Sequence, residues 1–278
     1  MTLTTSVQTS ARLRRGRRLS SAPRWLLILV EIAVPVVLIA LWWIASAGST
    51  NTFFPPLSAI LTRLGELIGT PAFLGDIGIS VLNLVVSFLI ATVVGVLLGC
   101  ALGLIAPLSW FVEPTIHFFR AIPPVALVPI FVSLIGFGNG TRILSISLAA
   151  LFPILISTID GVRAGEPTLQ MVGRGYRLTR TERLFQVTLP AASPRILSGM
   201  QVSLITAFVV MIASEMLGSS AGLGAATLLA QQSFAIADMW AGIIVLGVLG
   251  YLSTALFVLF RRAVLRWYIA SQQLEKSE

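Results

Sequence analysis

Six apolar stretches, each close to the length that crosses a bilayer, divide this sequence at 25–47, 79–106, 121–137, 142–159, 199–218 and 240–260. A transmembrane helix needs about 20 apolar residues to cross a hydrocarbon core about 30 Å thick. In lipid, every backbone N–H and C=O must find a partner within the protein, and a helix provides those partners within a single segment. The pattern therefore predicts an all-α polytopic membrane protein with about six transmembrane helices.

The composition agrees with lipid as the solvent. Of the residues, 56% are hydrophobic and only 11% are charged, whereas a water-soluble domain carries about 25% charged residues. This chain cannot cover a water-facing surface with polar groups, and we expect it to be embedded in a bilayer.

Basic residues are concentrated between the apolar stretches and predict the orientation. With the N-terminus inside, 17 of the 19 Lys and Arg residues fall on the inner face: six precede the first stretch, one is Arg120, six lie in 160–198 and four follow the last stretch. Cytoplasmic loops carry such an excess of Lys and Arg. We expect a multi-pass protein with both termini in the cytoplasm, and we attribute the net charge of +8 to this topology and not to nucleic-acid binding.

This topology divides the chain into consecutive parts. They are a basic cytoplasmic tail (1–24), a first transmembrane helix (25–47), an extracytoplasmic segment (48–78), a membrane core (79–262) that includes a cytoplasmic loop (160–198), and a cytoplasmic tail (263–278). Ala45-Ser46-Ala47 resembles a signal-peptide cleavage site, but the apolar run before it exceeds the 7–15 residues of a signal core. The first helix is therefore predicted to stay uncleaved.

A stripe of glycines predicts close helix packing. Gly95, Gly99 and Gly103 recur every fourth residue and share one face of a helix, where small residues let a second helix approach. Packing within the subunit is the favoured interpretation, and contact with a second copy is the alternative.

The residue patterns of common catalytic and metal sites are missing from the sequence. A P-loop needs a lysine at the phosphates, and the only lysine is Lys276. His117 is the only histidine and Cys100 the only cysteine, so neither a metal-ligand cluster nor an internal disulfide is predicted. We expect a protein that is not an enzyme and that holds no cofactor of its own.

The segment 160–198 predicts a docking element. Thr179-Arg180-Thr181-Glu182 fits a capping box that would start a short helix, which would run to about Thr188 and end at Leu189-Pro190. Its apolar side chains, such as Tyr176 and Leu178, favour a partner protein with a matching groove. A basic loop held by anionic lipid is the alternative.

The same segment resembles the cytoplasmic signature loop of ATP-binding-cassette importer permeases, which reads Glu-Ala-Ala, three residues, Gly, nine residues, Ile, one residue, Leu-Pro. Aligned on Leu189-Pro190, the pattern places Val187 at the Ile position, Arg177 at the Gly position and Met171-Val172-Gly173 at Glu-Ala-Ala. The sequence departs from the family at Met171 and Arg177, so the salt bridge of the family's glutamate cannot form here.

Four further blocks are similar to nitrate, sulfonate and taurine permeases of that class. They occur in order within 53–262 and are Arg120-Ala121-Ile122-Pro123-Pro124-Val125-Ala126-Leu127-Val128-Pro129, Leu151-Phe152-Pro153-Ile154, Ser214-Glu215-Met216-Leu217-Gly218 with Gly222-Leu223-Gly224, and Met239-Trp240-Ala241-Gly242-Ile243-Ile244. The resemblance implies the type I importer permease fold and a transmembrane permease subunit of an uptake system in the bacterial cell membrane.

The resemblance also implies partners and a docking site. The partners are a second permease copy, two ATPase subunits that bind ATP and Mg²⁺, and an extracytoplasmic substrate-binding protein. Docking on the ATPase falls on 166–182. The residues that it assigns to coupling are Met171, Val172, Gly173, Gly175, Tyr176, Arg177, Leu178 and Thr179.

Candidate residues for the translocation path come from polar groups inside the apolar stretches, because such groups are costly in lipid and are often functional. They are Glu215, Asn83 and Ser87. The alternative for Glu215 is an interfacial carboxylate paired with Arg142 or with a backbone donor, and Arg120 is expected to mark the inner boundary of the third stretch.

The substrate class, a small oxyanion such as nitrate, a sulfonate or taurine, follows from the resemblance alone. Another small organic nutrient, such as a thiamine-precursor pyrimidine or an osmoprotectant, is the alternative substrate. A secondary transporter is the alternative class, and it would show inverted repeats that we do not find in the sequence.

Overall fold

The computed structural model describes residues 24–165, 171 and 175–268. Its helices are α1 (Arg24–Ser46), α2 (Leu57–Ile68), α3 (Pro71–Leu104), α4 (Ala106–Ala121), α5 (Val128–Ile135), α6 (Asn139–Arg163), α7 (Arg180–Arg183), α8 (Leu189–Gly218), α9 (Leu223–Gln232) and α10 (Ile236–Val264). A 3₁₀ turn at Pro124–Leu127 leads into α5, and a π turn at Leu184–Thr188 joins α7 to α8. The described residues contain no strand.

The helices account for all six apolar stretches. Four are long and apolar enough to cross a membrane: α3, α6, α10 and the continuous helix Arg180–Leu217. A bent pair, Ala106–Ala121 with Pro124–Ile135, passes the same test together and forms either a broken span or a re-entrant loop. Helix α1 contributes the shorter apolar helix Ala33–Ser46. The predicted all-α polytopic membrane fold is confirmed.

Helices α3, α6 and α8 form the centre of the bundle. In the most apolar window of α6 and of the α8 helix 44% of the residues are buried, against 11% in α10, so α10 lies at the periphery. The largest apolar core joins these helices through residues that include Leu84, Ile146, Ile154, Leu204 and Met211.

The glycine stripe of α3 packs directly on α6, as predicted for contacts within the subunit. A Cβ added at these positions would lie far inside van der Waals distance of an α6 side chain. The distances to the nearest atom are 2.9 Å at Gly95 (Ile154 Cγ2), 2.5 Å at Gly99 (Thr158 Cβ) and 2.8 Å at Gly103 (Val162 Cβ). The absence of a Cβ therefore sets the spacing between α3 and α6.

Helix α3 begins eight residues before the predicted start of the second stretch. Pro71 occupies its first turn, where a proline loses no hydrogen bond because that N–H has no partner in a helix. The residues 71–78, which the sequence assigned to the extracytoplasmic segment, are thus helical. They include Asp76, which contributes to the site described below.

The third stretch is not a single straight helix over 121–137. The segments on either side of Ile122-Pro123 meet at 86°. A proline disfavours the helical conformation in the residue before it. Since Pro123 follows Ile122 and Pro124 follows Pro123, both residues adopt extended dihedral angles, with ψ of 124° and 121°. The Pro-Pro pair therefore breaks the span.

Leu189-Pro190 does not end the short helix as the sequence predicted. The π turn Leu184–Thr188 precedes it and α8 continues through Pro190, which sits in the first turn of α8. A proline clashes with the carbonyl four residues earlier in a regular helix, and a π turn supplies the extra residue that avoids this clash. As a result α7 and α8 form one helix of 38 residues, Arg180–Leu217.

Helix α2 is tied to α10 at one end of the bundle, called here the α9 end because it also carries α9 and the α8–α9 loop. Arg63 donates to both carboxylate oxygens of Asp238, at 2.5 and 3.1 Å, and to Glu66 at 2.7 Å. These carboxylates raise the pKa of Arg63 further above its usual value, so this cation persists at any physiological pH. Trp240 Nε1 also donates to Phe53 O at 3.1 Å.

Candidate translocation cleft, latch and coupling turn

A cleft of about 390 Å³ opens at the break between α4 and the 3₁₀ turn. Residues of α6 and α8 close its other sides. Its lining is Arg120, Ile122, Pro124, Ala149, Phe152, Pro153, Ile156, Ser157, Val202 and Thr206. The cleft therefore lies among three membrane segments and combines apolar walls with one cation and two hydroxyl groups.

A second cleft, of about 340 Å³, adjoins the first because Ser157 lines both. Its other lining residues are Asp160, Pro194, Arg195 and Ser198. Arg195 Nη1 donates to Asp160 O at 3.3 Å. Together the two clefts form a groove along α6 and α8 toward the end of the bundle that carries α7.

Glu215 lies at the α9 end and is fully buried. The Ser80 hydroxyl donates to its two carboxylate oxygens, each at 2.8 Å, and Gly224 N donates to Oε2 at 2.9 Å. Ser80 Oγ in turn accepts from Leu223 N at 2.9 Å. The carboxylate thus joins α3 and α8 to the start of α9.

The loop before α9 is held by two further side chains. Asp76 accepts from Gly222 N at 2.7 Å, and Arg142 Nη1 donates to Ala221 O at 3.1 Å. We call the set Asp76, Ser80, Glu215, Gly222 and Gly224 the Glu215 latch. It closes the loop between α8 and α9 onto α3.

Two glycines make the latch possible. Gly222 has φ of 109°, which favours glycine, and a Cβ there would lie 2.6 Å from Glu215 Cδ. A Cβ at Gly224 would lie 2.8 Å from Ile212 O and 2.9 Å from Glu215 Cβ. Glycine at both positions therefore lets the loop backbone approach the carboxylate.

The latch bears on the alternative interpretation of Glu215 as an interfacial carboxylate paired with Arg142 or with a backbone donor. Pairing with Arg142 is wrong for this structure, because Arg142 binds Ala221 O, Gly138 O and Asn139 and forms no ion pair with Glu215 among the described residues. Pairing with a backbone donor is confirmed by the bond from Gly224 N. Glu215 lines neither cleft in this conformation, and its role in the translocation path stays a prediction.

Asn83 and Ser87 lie deeper along the same face of α3 and are buried. Ser87 O accepts from Ser147 of α6 at 3.2 Å, while Asn83 Nδ2 and Ser87 Oγ have no hydrogen-bond partner in the described chain. Ser87 lies at the α3–α6 contact, and neither residue lines a described cleft. Their role in the path stays a prediction.

The coupling turn, residues 175–183, carries the predicted capping box. Thr179 Oγ1 accepts from Glu182 N at 3.3 Å, and Glu182 Oε2 accepts from Thr179 N at 2.7 Å. Both halves of the box are present, so α7 begins where the sequence indicates. The prediction is confirmed.

Arg177 forms the bend before this cap. Its φ of 53° lies in the left-handed region, which costs a non-glycine residue about 1 kcal/mol or more. This is the position at which the resembling family has its glycine. Arg177 therefore adopts a backbone conformation that favours glycine.

Most predicted coupling residues that the structure describes are exposed. Tyr176 is 80% exposed and Met171 is 63% exposed, Gly175, Arg177 and Thr179 are exposed, and Leu178 is half-buried. Val172 and Gly173 lie outside the described residues. Tyr176 thus exposes an apolar side chain on the coupling turn, and Met171, which precedes the turn in sequence, is exposed as well.

Sequence reasoning missed Ser80 and Asp76. A signal for both was present, because Asp76, Ser80, Asn83 and Ser87 repeat at spacings of four, three and four and so share one helix face. Only Asn83 and Ser87 lie well inside the predicted stretch 79–106, because Asp76 precedes it and Ser80 is its second residue.

Comparison with known families identifies the class of protein to which this chain belongs. The family described as "Binding-protein-dependent transport system inner membrane component" matches residues 91–268, which include both clefts, Glu215 and the coupling turn. The chain belongs to this family, and it is a multi-pass, membrane-embedded permease subunit of an ABC importer.

Three relatives from named transport systems are similar to this chain over most of its length. SsuC of Bacillus subtilis (strain 168), a permease protein whose name assigns it to aliphatic sulfonate transport, is 31% identical over 238 residues, covering 85% of this chain and 86% of SsuC. The taurine transport system permease protein TauC of Escherichia coli (strain K12) is 26% identical, with 88% and 93% covered. The bicarbonate transport system permease protein CmpB of Synechococcus elongatus is 29% identical, with 91% and 96% covered.

Solved structures share the fold at lower identity. The methionine ABC transporter MetNI, in inward-facing conformations, superposes with a TM-score of 0.59 at 21% identity and covers 68% of this chain and 94% of that chain. An amino acid ABC transporter with histidines gives a TM-score of 0.55 at 18% identity, with 73% and 98% covered. The predicted type I importer permease fold is confirmed by these similarities.

Proposed function

We propose that this chain forms the translocation path of an ATP-driven uptake system for a small oxyanion. The observation that carries the proposal is the substrate chemistry in the names of three relatives, each similar to this chain over 85–91% of its length. Aliphatic sulfonates, taurine and bicarbonate are small molecules that present a negatively charged group of oxygen atoms. The cleft of about 390 Å³ has room for a solute of this size.

The proposed machine contains subunits that this chain lacks. Two copies of the permease would pair, two ATPase subunits would bind ATP and Mg²⁺, and a binding protein would deliver the solute from outside. The permease would carry out no bond-making chemistry.

The permease would sit in the bacterial inner membrane with both termini in the cytoplasm. Labelling of a Glu278→Cys variant (in a Cys100→Ser background) by an impermeant thiol reagent would test the position of the C-terminal end. Labelling from outside intact cells would contradict that orientation.

Reconstitution tests the function directly. Proteoliposomes that contain the permease and its ATPase should take up labelled taurine, ethanesulfonate or bicarbonate only when both ATP and the binding protein are present. Uptake of a thiamine-precursor pyrimidine or of an osmoprotectant in place of these anions would assign the alternative substrate class. Uptake driven by an ion gradient without ATP would indicate a secondary transporter.

The coupling turn is proposed to dock on the ATPase. The exposed Tyr176 of the turn and the exposed Met171 that precedes the turn in sequence suit an apolar groove, since short amphipathic helices dock in such grooves. Helix α7 continues into α8, and α8 lines the cleft through Val202 and Thr206. Movement of the docked turn would therefore be transmitted to the wall of the path.

Replacing Tyr176 with aspartate should uncouple ATP hydrolysis from uptake. The side chain is 80% exposed, so the change should leave the permease folded. A charge buried in the docked interface should weaken the binding of the ATPase at least about tenfold, as at other interface hot spots. Uptake per ATP hydrolysed in proteoliposomes measures the effect. Tyr176→Phe is the matched control and should retain coupling; equal coupling in Tyr176→Asp would contradict the docking assignment.

A further inference from the structure

Arg120 is the one cation that lines the larger cleft. It is exposed in the last turn of α4 and forms no hydrogen bond or ion pair with any other described residue. Arg142, Arg163 and Arg261 each donate to a group on another helix or loop. Arg262 also has no such partner among the described residues, but of these two arginines only Arg120 lines the cleft. An ionisable side chain in a membrane segment is costly and is therefore often functional. Arg120 has no structural partner among the described residues that would explain its presence.

Ser157 of α6 supplies a second free donor in the same cleft. Its hydroxyl forms no hydrogen bond within the described chain, whereas the Thr206 hydroxyl donates to Val202 O at 3.1 Å. The residues that line this cleft include no carboxylate, and the adjoining cleft contains Asp160 together with Arg195. The cleft therefore presents one guanidinium group and one hydroxyl donor against walls made mainly of apolar side chains.

Such a site suits an anion and not a cation. In apolar surroundings a charge attracts its opposite more strongly than in water, and a planar guanidinium group can donate two parallel hydrogen bonds to a sulfonate or carboxylate. A site along a path must also release its ligand, so it must bind weakly enough for the solute to leave. One guanidinium group with one hydroxyl donor can bind the anion and still release it, whereas a site with several cations would hold the anion more tightly.

We propose that Arg120 and Ser157 form a transit site that contacts the anionic group of the solute as it crosses the membrane, with Arg120 determining the preference for negative charge. The inference rests on the proposed function as an oxyanion importer. It also replaces the expectation that Arg120 only marks the boundary of a span.

The test uses the assembled transporter with its binding protein in proteoliposomes and labelled taurine, ethanesulfonate and bicarbonate as probes. Arg120→Gln should lower the maximal uptake rate about tenfold, the usual order for losing a hydrogen bond to a charged group. The apparent KM should stay unchanged, because the external binding protein sets it. Arg120→Lys keeps the charge and should lose only about threefold, and Ser157→Ala should fall between wild type and Arg120→Gln.

Arg262→Gln is the matched control. Arg262 is also an exposed arginine in the last turn of an apolar helix, α10, and it lines no described cleft. A loss confined to Arg120→Gln, with basal ATP hydrolysis and thermal stability retained, would support the site. Equal losses in Arg120→Gln and Arg262→Gln would assign both to helix-end anchoring and would overturn the site.

The experiment also separates this inference from the proposed function. Wild-type uptake of the anions together with unchanged uptake by Arg120→Gln would overturn the transit site and leave the importer assignment intact. Failure of the wild-type transporter to take up any of the three anions with ATP and binding protein present would overturn the oxyanion proposal itself, and the transit site with it.

Discussion

Glu215→Ala should lower the free energy of unfolding by about 3 kcal/mol, because it removes the acceptor of the Ser80 hydroxyl and of Gly224 N and leaves both donors buried, at about 1–3 kcal/mol each. Both bonds have the usual lengths of well-formed hydrogen bonds, 2.8 and 2.9 Å, and Glu215 has no exposed surface. The α8–α9 loop should loosen as well, since the Glu215 carboxylate joins it to α3. We therefore expect reduced uptake in addition to reduced stability.

The only cysteine of the chain provides the measurement. Cys100 is buried, so a thiol-reactive fluorophore reports unfolding of the purified full-length chain in detergent. Glu215→Ala should unfold on the order of 5 °C or more below wild type. Glu215→Gln keeps the shape and one acceptor oxygen and should lose less.

Glu66→Ala is the matched control for this experiment. Glu66 forms an ion pair with Arg63, but its side chain is 57% exposed, and exposed pairs contribute about 1 kcal/mol or less. Equal unfolding temperatures for Glu215→Ala and Glu66→Ala would show that the latch does not stabilise the α9 end.

Gly199→Ala should destabilise the chain by about 3 kcal/mol or more, beyond the usual cost of overpacking a core. A Cβ at Gly199 would lie 2.3 Å from Ser157 Cβ and Oγ and 2.8 Å from Pro153 O. A backbone carbonyl cannot rotate away as a side chain can, so α8 must move off α6. Because both helices line the cleft, transport should fall with stability.

Gly247→Ala is the matched control, because Gly247 lies within α10 and a Cβ there meets nothing within 4 Å. Alanine is the better helix former by about 1 kcal/mol, so this variant should unfold at or slightly above the wild-type temperature. The double variant Gly199→Ala, Ser157→Gly should recover only part of the loss, since the clash with Pro153 O remains. Full recovery, or no loss in Gly199→Ala, would contradict the close α6–α8 contact.

Local and repeating features of this chain could be predicted from sequence alone. The lengths of the second, fourth, fifth and sixth apolar stretches identified membrane helices, because bilayer thickness fixes that length. The spacing of Gly95, Gly99 and Gly103 predicted the contact face of α3. The capping box at Thr179 and Glu182 was predictable because its two partners are three residues apart.

Features that depend on distant residues could not be predicted. Ser80 and Glu215 are 135 positions apart, and Asp76 and Gly222 are 146 apart, so only the packing of α3 against α8 brings them together. The continuity of α7 with α8 was also missed, because a proline usually ends a short helix and the compensating π turn leaves no local signal that was recognised.

The continuous helix from Arg180 to Leu217 connects the coupling turn to the Glu215 latch. At 1.5 Å per residue, Glu215 lies about 50 Å along the axis from Arg180, so a tilt of about 2° would displace it by about 2 Å. A 2.8 Å hydrogen bond to Ser80 does not survive such a displacement. Small rotations at the coupling turn would thus be amplified until either α3 swings together with α8 as one rigid body or the latch opens.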